Sequence, residues 1–127
     1  MSQNDFSAGY KETERNGSGH WWAQKLSAIA LIPLTVWFLI ALLGINSFSH
    51  KNIFLWISLP LNSALLIFLL FTALYHSFLG LKVIIEDYVH GSLNNSLILG
   101  LKIIHFLLGA AAILALVKII FSNGNLA

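Results

Sequence analysis

The residues of this sequence best equipped for chemistry are a histidine, His76, and an Asp-Tyr pair, Asp87 and Tyr88, all carried by one long apolar run, LNSALLIFLLFTALYHSFLGLKVIIEDY. An ionisable side chain inside a membrane helix is costly and is normally turned toward protein or a cavity instead of lipid. A neutral imidazole near the middle of such a run has two uses. It can be a hydrogen-bonded packing residue, or an axial ligand to a b-type haem iron. Gly80 lies four residues on, on the same helical face, where a missing side chain lets a flat macrocycle or another backbone approach.

Asp87 follows His76 by about three helical turns, which puts the two on nearly one face and roughly 16 Å apart. One is then mid-membrane and the other at the membrane edge. Tyr88 offers a phenolic donor to a quinone carbonyl there, and Asp87 can hold a cation or relay protons. Acidic and tyrosyl residues at a helix exit also serve as plain interface anchors. Upstream, the segment GHWWAQKLSAIALIPL joins Trp21 and Trp22 to Lys25, a cation able to meet a propionate, a lipid phosphate or a carboxylate. His105, in the last apolar run, is a second imidazole at comparable depth. Directly packed helices stand only about 8–10 Å apart, which leaves little room for a porphyrin between them, so His105 reads as a packing residue. His20, His50 and His90 fall at polar edges and have no metal-ligand spacing with one another. There is no nucleophile triad, phosphate-cradling glycine loop or carboxylate pair suited to hydrolysis.

The elements that position these groups are set by composition. Of 127 residues, 57% are hydrophobic and 9% charged, and the mean hydropathy is +0.80, whereas a globular domain carries about a quarter charged residues. A chain of this length has room for about three spans of roughly 20 residues. Residues 26–46, 61–88 and 97–121 supply them, within a membrane region of 21–122 flanked by a polar segment, 1–20, and a polar tail, 123–127. Pro33 lies inside the first span and frees the Ile29 carbonyl, predicting a local bend. Pro60 suits the first turn of the second. Trp56 suits the interfacial aromatic belt. His90 to Ser96 reads as a polar turn, and Lys102 and Lys118 can snorkel from near the ends of span three. Gly109 to Ala112 give that span a small face for close helix contact. The expectation is an all-α integral membrane protein with three transmembrane helices.

Cysteine is absent, which excludes disulfides and cysteine-ligated iron–sulfur clusters in this chain. Residues 1–20 are polar where a cleavable signal would be apolar, so the first span is expected to act as its own insertion signal. The seven Lys and Arg are scattered singly, so the net charge of +2 does not form a nucleic-acid stripe. Lys11, Arg15, Lys25, Lys82 and Lys102 fall on one side of the predicted membrane and Lys51 and Lys118 on the other. By the positive-inside rule the amino terminus faces the cytoplasm or matrix.

Two stretches, HSFLGLKVIIEDYVHG (76–91) and GHWWAQKLSAIALIPLTVW (19–37), resemble the small hydrophobic anchor subunit of succinate dehydrogenase, respiratory complex II, in its alphaproteobacterial and mitochondrial forms. The pattern of His, Gly four later and Asp-Tyr eleven later carries the likeness, which spans all three apolar runs. The resemblance implies half of a heterodimeric helix bundle that shares one haem b with a larger cytochrome b anchor subunit. It implies a ubiquinone pocket beside an iron–sulfur subunit, succinate oxidation on a separate flavoprotein subunit, and an energy-transducing inner membrane. It makes His76 the haem axial ligand, Tyr88 a quinone donor and Asp87 its neighbour, and puts Lys25, His20 and Trp22 where haem propionates or the quinone mouth are contacted. Many relatives have Arg where this chain has Lys25, which keeps the charge but loses the bidentate fork. A quinol:fumarate reductase anchor shares this architecture, and a cofactor-free structural or assembly subunit is the reading from outside the family.

Overall fold

The computed structural model describes residues 3–122, with side chains from Ser18 onward. The 123–127 tail, and the side chains of Lys11 and Arg15 on which the charge count partly rests, lie outside the described residues. Four helices follow in order: α1 (Gln3–Leu43), α2 (His50–Ser58), α3 (Pro60–Tyr88) and α4 (Ser92–Ser122). Ser18–Leu43 within α1, α3 and α4 are each long and apolar enough to cross a membrane. The described residues contain no strand, and the all-α, three-span class is observed.

The helices extend further than the apolar runs. α1 continues through Pro33 without a break. α4 starts at Ser92, inside the stretch read as a turn, so only Val89, His90 and Gly91 connect it to α3. Gly91 takes a φ of 77°, a left-handed conformation that glycine adopts without steric cost. The Asn94 side-chain amide then donates to the Val89 carbonyl at 2.7 Å, an acceptor beyond the end of α3, and at 3.4 Å to the Ile85 carbonyl, which already accepts from the Val89 N–H. Polar residues are helical here because side chains supply the missing backbone partners. With α4 beginning this early, Lys102 stands about 15 Å along the helix from Ser92 and not at its end.

On the opposite side of the membrane, Ser49 caps α2 by accepting from the Asn52 amide at 3.3 Å. Pro60 occupies the first turn of α3, and Asn62 bridges the break by donating to the Trp56 carbonyl at 2.9 Å. Trp56 stacks on Trp37 of α1, with centroids 6.1 Å apart and planes 20° from parallel.

Side-chain contacts fix the arrangement around α3. Ser27 of α1 meets His76 and Gln24 meets Gly80, so α1 runs antiparallel to α3. Ser77 meets His105, and Leu74 meets Gly109, so α4 is antiparallel on the other flank. A Cβ at Gly109 would lie 3.3 Å from Leu74 Cδ1, which bears out the small-faced contact expected of α4. Among the described residues only Leu34, Leu79, Ser27 and Ser63 are buried. Nearly all the apolar surface therefore faces outward, as it must in a chain whose surroundings are lipid and other subunits.

Candidate functional site

His76 sits close to the middle of the 29-residue α3, half-buried against α1. Its Nδ1 lies 3.0 Å from the Ser27 hydroxyl, and Ser27 is only 7% exposed. That hydroxyl donates to the Gln24 carbonyl at 2.9 Å, one turn back along α1. A hydroxyl has one proton. With that proton on the carbonyl, Ser27 Oγ accepts and His76 Nδ1 is the donor. The imidazole is then the Nδ1–H tautomer, and the lone pair is on Nε2. The reverse assignment would leave an N–H at Nε2 without an acceptor, a costly state in a low-dielectric setting. Nε2 makes no hydrogen bond among the described residues and is not sealed inside the chain.

His105 provides the contrast at similar depth. Its Nδ1 donates to the Leu101 carbonyl at 2.9 Å, and its Nε2 accepts from the Ser77 hydroxyl at 3.2 Å. Phe78 packs edge-on against the ring with centroids 5.7 Å apart. Both nitrogens are in use, which fits the packing role that helix spacing predicts. A serine thus accepts from one histidine and donates to the other, and only His76 retains an uncommitted lone pair.

Gly80 leaves room on its face for a neighbour, and within the chain that neighbour is a side chain of α1. A Cβ there would lie 3.3 Å from Gln24 Nε2, so the space beneath His76 holds the Gln24 amide of α1, not another backbone. The Gln24 Oε1 and His20 Nε2 atoms are buried without hydrogen-bond partners among the described residues. Beside the histidine, Ala23, Leu26, Ser27, Ala30, Phe71, Thr72 and Tyr75 line a groove of about 590 Å3 between α1 and α3. Thr72 precedes His76 by one turn, so the groove runs along the histidine's face of α3. His76 does not itself line this groove, whose apolar walls and small Ala23 and Ala30 fit a flat apolar group, and its imidazole keeps a nitrogen lone pair able to ligate.

Asp87 and Tyr88 end α3 at the same membrane face as Ser18 and the α3–α4 turn. Both are exposed, Tyr88 by 83%. Lys82 reaches Glu86 at 3.7 Å, and Asp87 has no ion pair among the described residues. Successive helical residues project about 100° apart, so Asp87 keeps to the face of His76 while Tyr88 turns to another. Lys25 holds its ammonium over the Trp21 ring at 4.7 Å and the Trp22 ring at 5.7 Å. It stands on the membrane-edge side of Ser27, about 3 Å further along the axis. No group of three or more His, Asp or Glu side chains able to hold a metal ion occurs among the described residues.

The family model of the succinate dehydrogenase/fumarate reductase transmembrane subunit matches residues 10–118. The chain belongs to that family. A relative from Rickettsia bellii, named succinate dehydrogenase hydrophobic membrane anchor subunit, is 38% identical over 103 residues, covering 80% of this chain and 82% of the relative. One of the same name from Rickettsia felis is 32% identical over 114 residues, covering 88% and 94%. The succinate dehydrogenase membrane anchor subunit of Reclinomonas americana is 34% identical over 91 residues, covering 61% and 67%. No solved structure matches. As a member of this anchor family the chain is a multi-pass membrane subunit that works with other chains.

Ser27, Gln24 and Ser77 are the site residues that sequence reasoning missed. A serine within an apolar run was the available signal for Ser27. Which histidine nitrogen it meets depends on the register between α1 and α3, and that is a property of the packed structure.

Proposed function

We propose that this chain is the hydrophobic anchor of a succinate:quinone oxidoreductase, holding one side of a haem b through His76 and one wall of the ubiquinone-reduction site through Tyr88 and Asp87. The observation that carries the reading is the His76 imidazole, with Nδ1 pinned by Ser27 and an unshared Nε2 lone pair beside an apolar groove. A ligating histidine commonly donates its other ring N–H to a fixed acceptor. A single ligating nitrogen and a groove open on one side both leave half the site to a second chain, here a larger cytochrome b anchor. Bound haem b supplies one-electron storage within the bilayer.

The chain's own contribution is binding and orientation. His76 offers the axial nitrogen, Ala23 and Ala30 leave room for a ring edge, and Lys25 provides a cation toward the membrane edge for a propionate or the quinone mouth. His20 and Trp22 lie at that same end of α1. Tyr88, whose hydroxyl has no hydrogen-bond partner among the described residues, is available to donate to a quinone carbonyl at the interface. Asp87 accepts only, so its role is to hold water or a cation from an adjoining subunit. Five of the seven Lys and Arg belong to the side of the amino terminus and the α3–α4 turn, which supports a cytoplasmic or matrix orientation for that side. The iron–sulfur and flavoprotein subunits would dock there.

The test is a reduced-minus-oxidised spectrum of the complex purified through this chain, with an inventory of its subunits. A low-spin b-type signal that is lost in His76→Ala, while His105→Leu retains it, is expected. A complex with its full subunit set and no haem, or an unchanged low-spin signal in His76→Ala, would overturn the assignment.

A further inference from the structure

We propose that Ser27 is a positioning residue for the haem ligand: its Oγ fixes His76 in the Nδ1–H tautomer and sets the donor strength of Nε2. The inference rests on the haem reading above and adds a residue on a different helix to it. Three features of the geometry make the case. Ser27 is 7% exposed, so water does not compete for its oxygen. Its proton is directed to the Gln24 carbonyl at 2.9 Å, which leaves Oγ to receive the His76 Nδ1–H at 3.0 Å. The accepting Gln24 carbonyl belongs to the backbone of α1, one turn before Ser27, and is fixed by the helix. The relay from Nδ1 to Oγ to carbonyl is therefore directional, and no mobile group takes part.

Two consequences follow from hydrogen-bond chemistry. First, the ring cannot rotate or switch tautomer without breaking a bond in a low-dielectric site, so Nε2 points where α1 and α3 aim it. Second, an Nδ1–H that donates to an oxygen makes Nε2 a stronger donor to iron. That favours the ferric over the ferrous state and lowers the one-electron potential. The Ser77–His105 pair shows the opposite use of the same two residue types: there the hydroxyl donates to Nε2 and occupies the lone pair.

The experiment compares Ser27→Ala, Ser27→Cys and Ser27→Thr in the purified complex by haem content per flavin and by spectroelectrochemical midpoint potential. Ser27→Ala removes the acceptor. Ser27→Cys keeps the shape of the side chain but offers a weak acceptor. Ser27→Thr restores the hydroxyl. The ferric-to-ferrous preference is expected to fall severalfold in Ala and Cys, a tenfold change being about 59 mV for a one-electron couple, and to return toward wild type in Thr. Where Ser27→Ala fails to assemble, the Cys variant carries the test. A wild-type potential and haem content in Ala or Cys would overturn the role of Ser27 while leaving His76 as ligand. A Thr variant as altered as Ala, in a complex of normal subunit content, would likewise overturn it. Absence of haem from the wild-type complex would instead remove the underlying reading.

Discussion

Replacing Tyr88 with Phe separates a quinone donor from an interfacial anchor, because the chain makes the two outcomes so different in size. The Tyr88 side chain is 83% exposed and its hydroxyl has no hydrogen-bond partner among the described residues. Deleting that oxygen should leave the stability of the chain within about 0.5 kcal/mol, the usual range for a surface change. The effect on quinone reduction is expected to be much larger. A quinone carbonyl gains negative charge as it is reduced, so a donor aimed at it stabilises the transition state more than the ground state. Removing one such donor typically costs 10²–10³ in rate, or about 2.7–4 kcal/mol. Because the neighbouring subunits can supply a second donor, the lower end, about a hundredfold, is the expected loss. The assay measures succinate-driven reduction of a short-chain ubiquinone against reduction of a soluble dye, which accepts electrons before the membrane site. Tyr88→Phe should depress the first and spare the second, with the thermal unfolding of the complex unchanged. Quinone turnover within about twofold of wild type, or roughly 0.4 kcal/mol, with unaltered sensitivity to quinone-site inhibitors would make Tyr88 an anchor and refute the reasoning.

Gly109→Leu should lower the melting temperature of the complex, since its Cβ would already lie 3.3 Å from Leu74 Cδ1 and overpacking costs about 1–3 kcal/mol. Gly100→Ala, where a Cβ meets nothing within 4 Å, is the control, and equal melting of the two would refute the close α3–α4 contact. His105→Leu should keep a wild-type haem spectrum and lose the bonds to the Leu101 carbonyl and Ser77, the interhelical one worth about 0.6 kcal/mol in a membrane interior. A missing haem in that variant would move the ligand assignment to α4. A cysteine at Asn95 should resist an impermeant thiol reagent added from outside intact cells or mitoplasts, while one at Ser47 should react. The reverse pattern would invert the topology. Ser47 is preferable to Ser49, whose hydroxyl caps α2.

Hydropathy located the three membrane helices because it measures the slab of hydrocarbon each must cross. It did not locate the helix ends, because a helix does not stop where the slab stops. The stretch SLNNS looked like a turn, yet it begins α4 once Asn94 has bonded the carbonyls of Val89 and Ile85. α2 is nine residues long, too short for periodicity to identify, and the stacking of Trp56 on Trp37 joins residues far apart in the chain. At the site, spacing put His76 and Gly80 on one face and gave His105 a packing role. It could not give the register that brings Ser27 to Nδ1, since helical periodicity fixes which residues share a face and not which rung of the next helix they meet. Asp87 was expected to hold a cation or relay protons; among the described residues it has no ion pair, and Lys82, five residues before it, pairs with Glu86.

The three-residue link between α3 and α4 also bears on how the protein is made. Gly91 turns the backbone, and Asn94 closes it with bonds that need no residue from elsewhere. The pair can therefore enter the bilayer as a helical hairpin as soon as both arms have left the ribosome, with Ser77 and His105 already shielding one another. α1 is synthesised first but has no comparable clasp to α3, from which the whole of α2 separates it. Docking of that hairpin onto α1 is then the event that brings Ser27 to His76. On the haem reading proposed above, the histidine that would hold the cofactor is fixed only at that late step, so insertion of the helices and completion of the site are separable events.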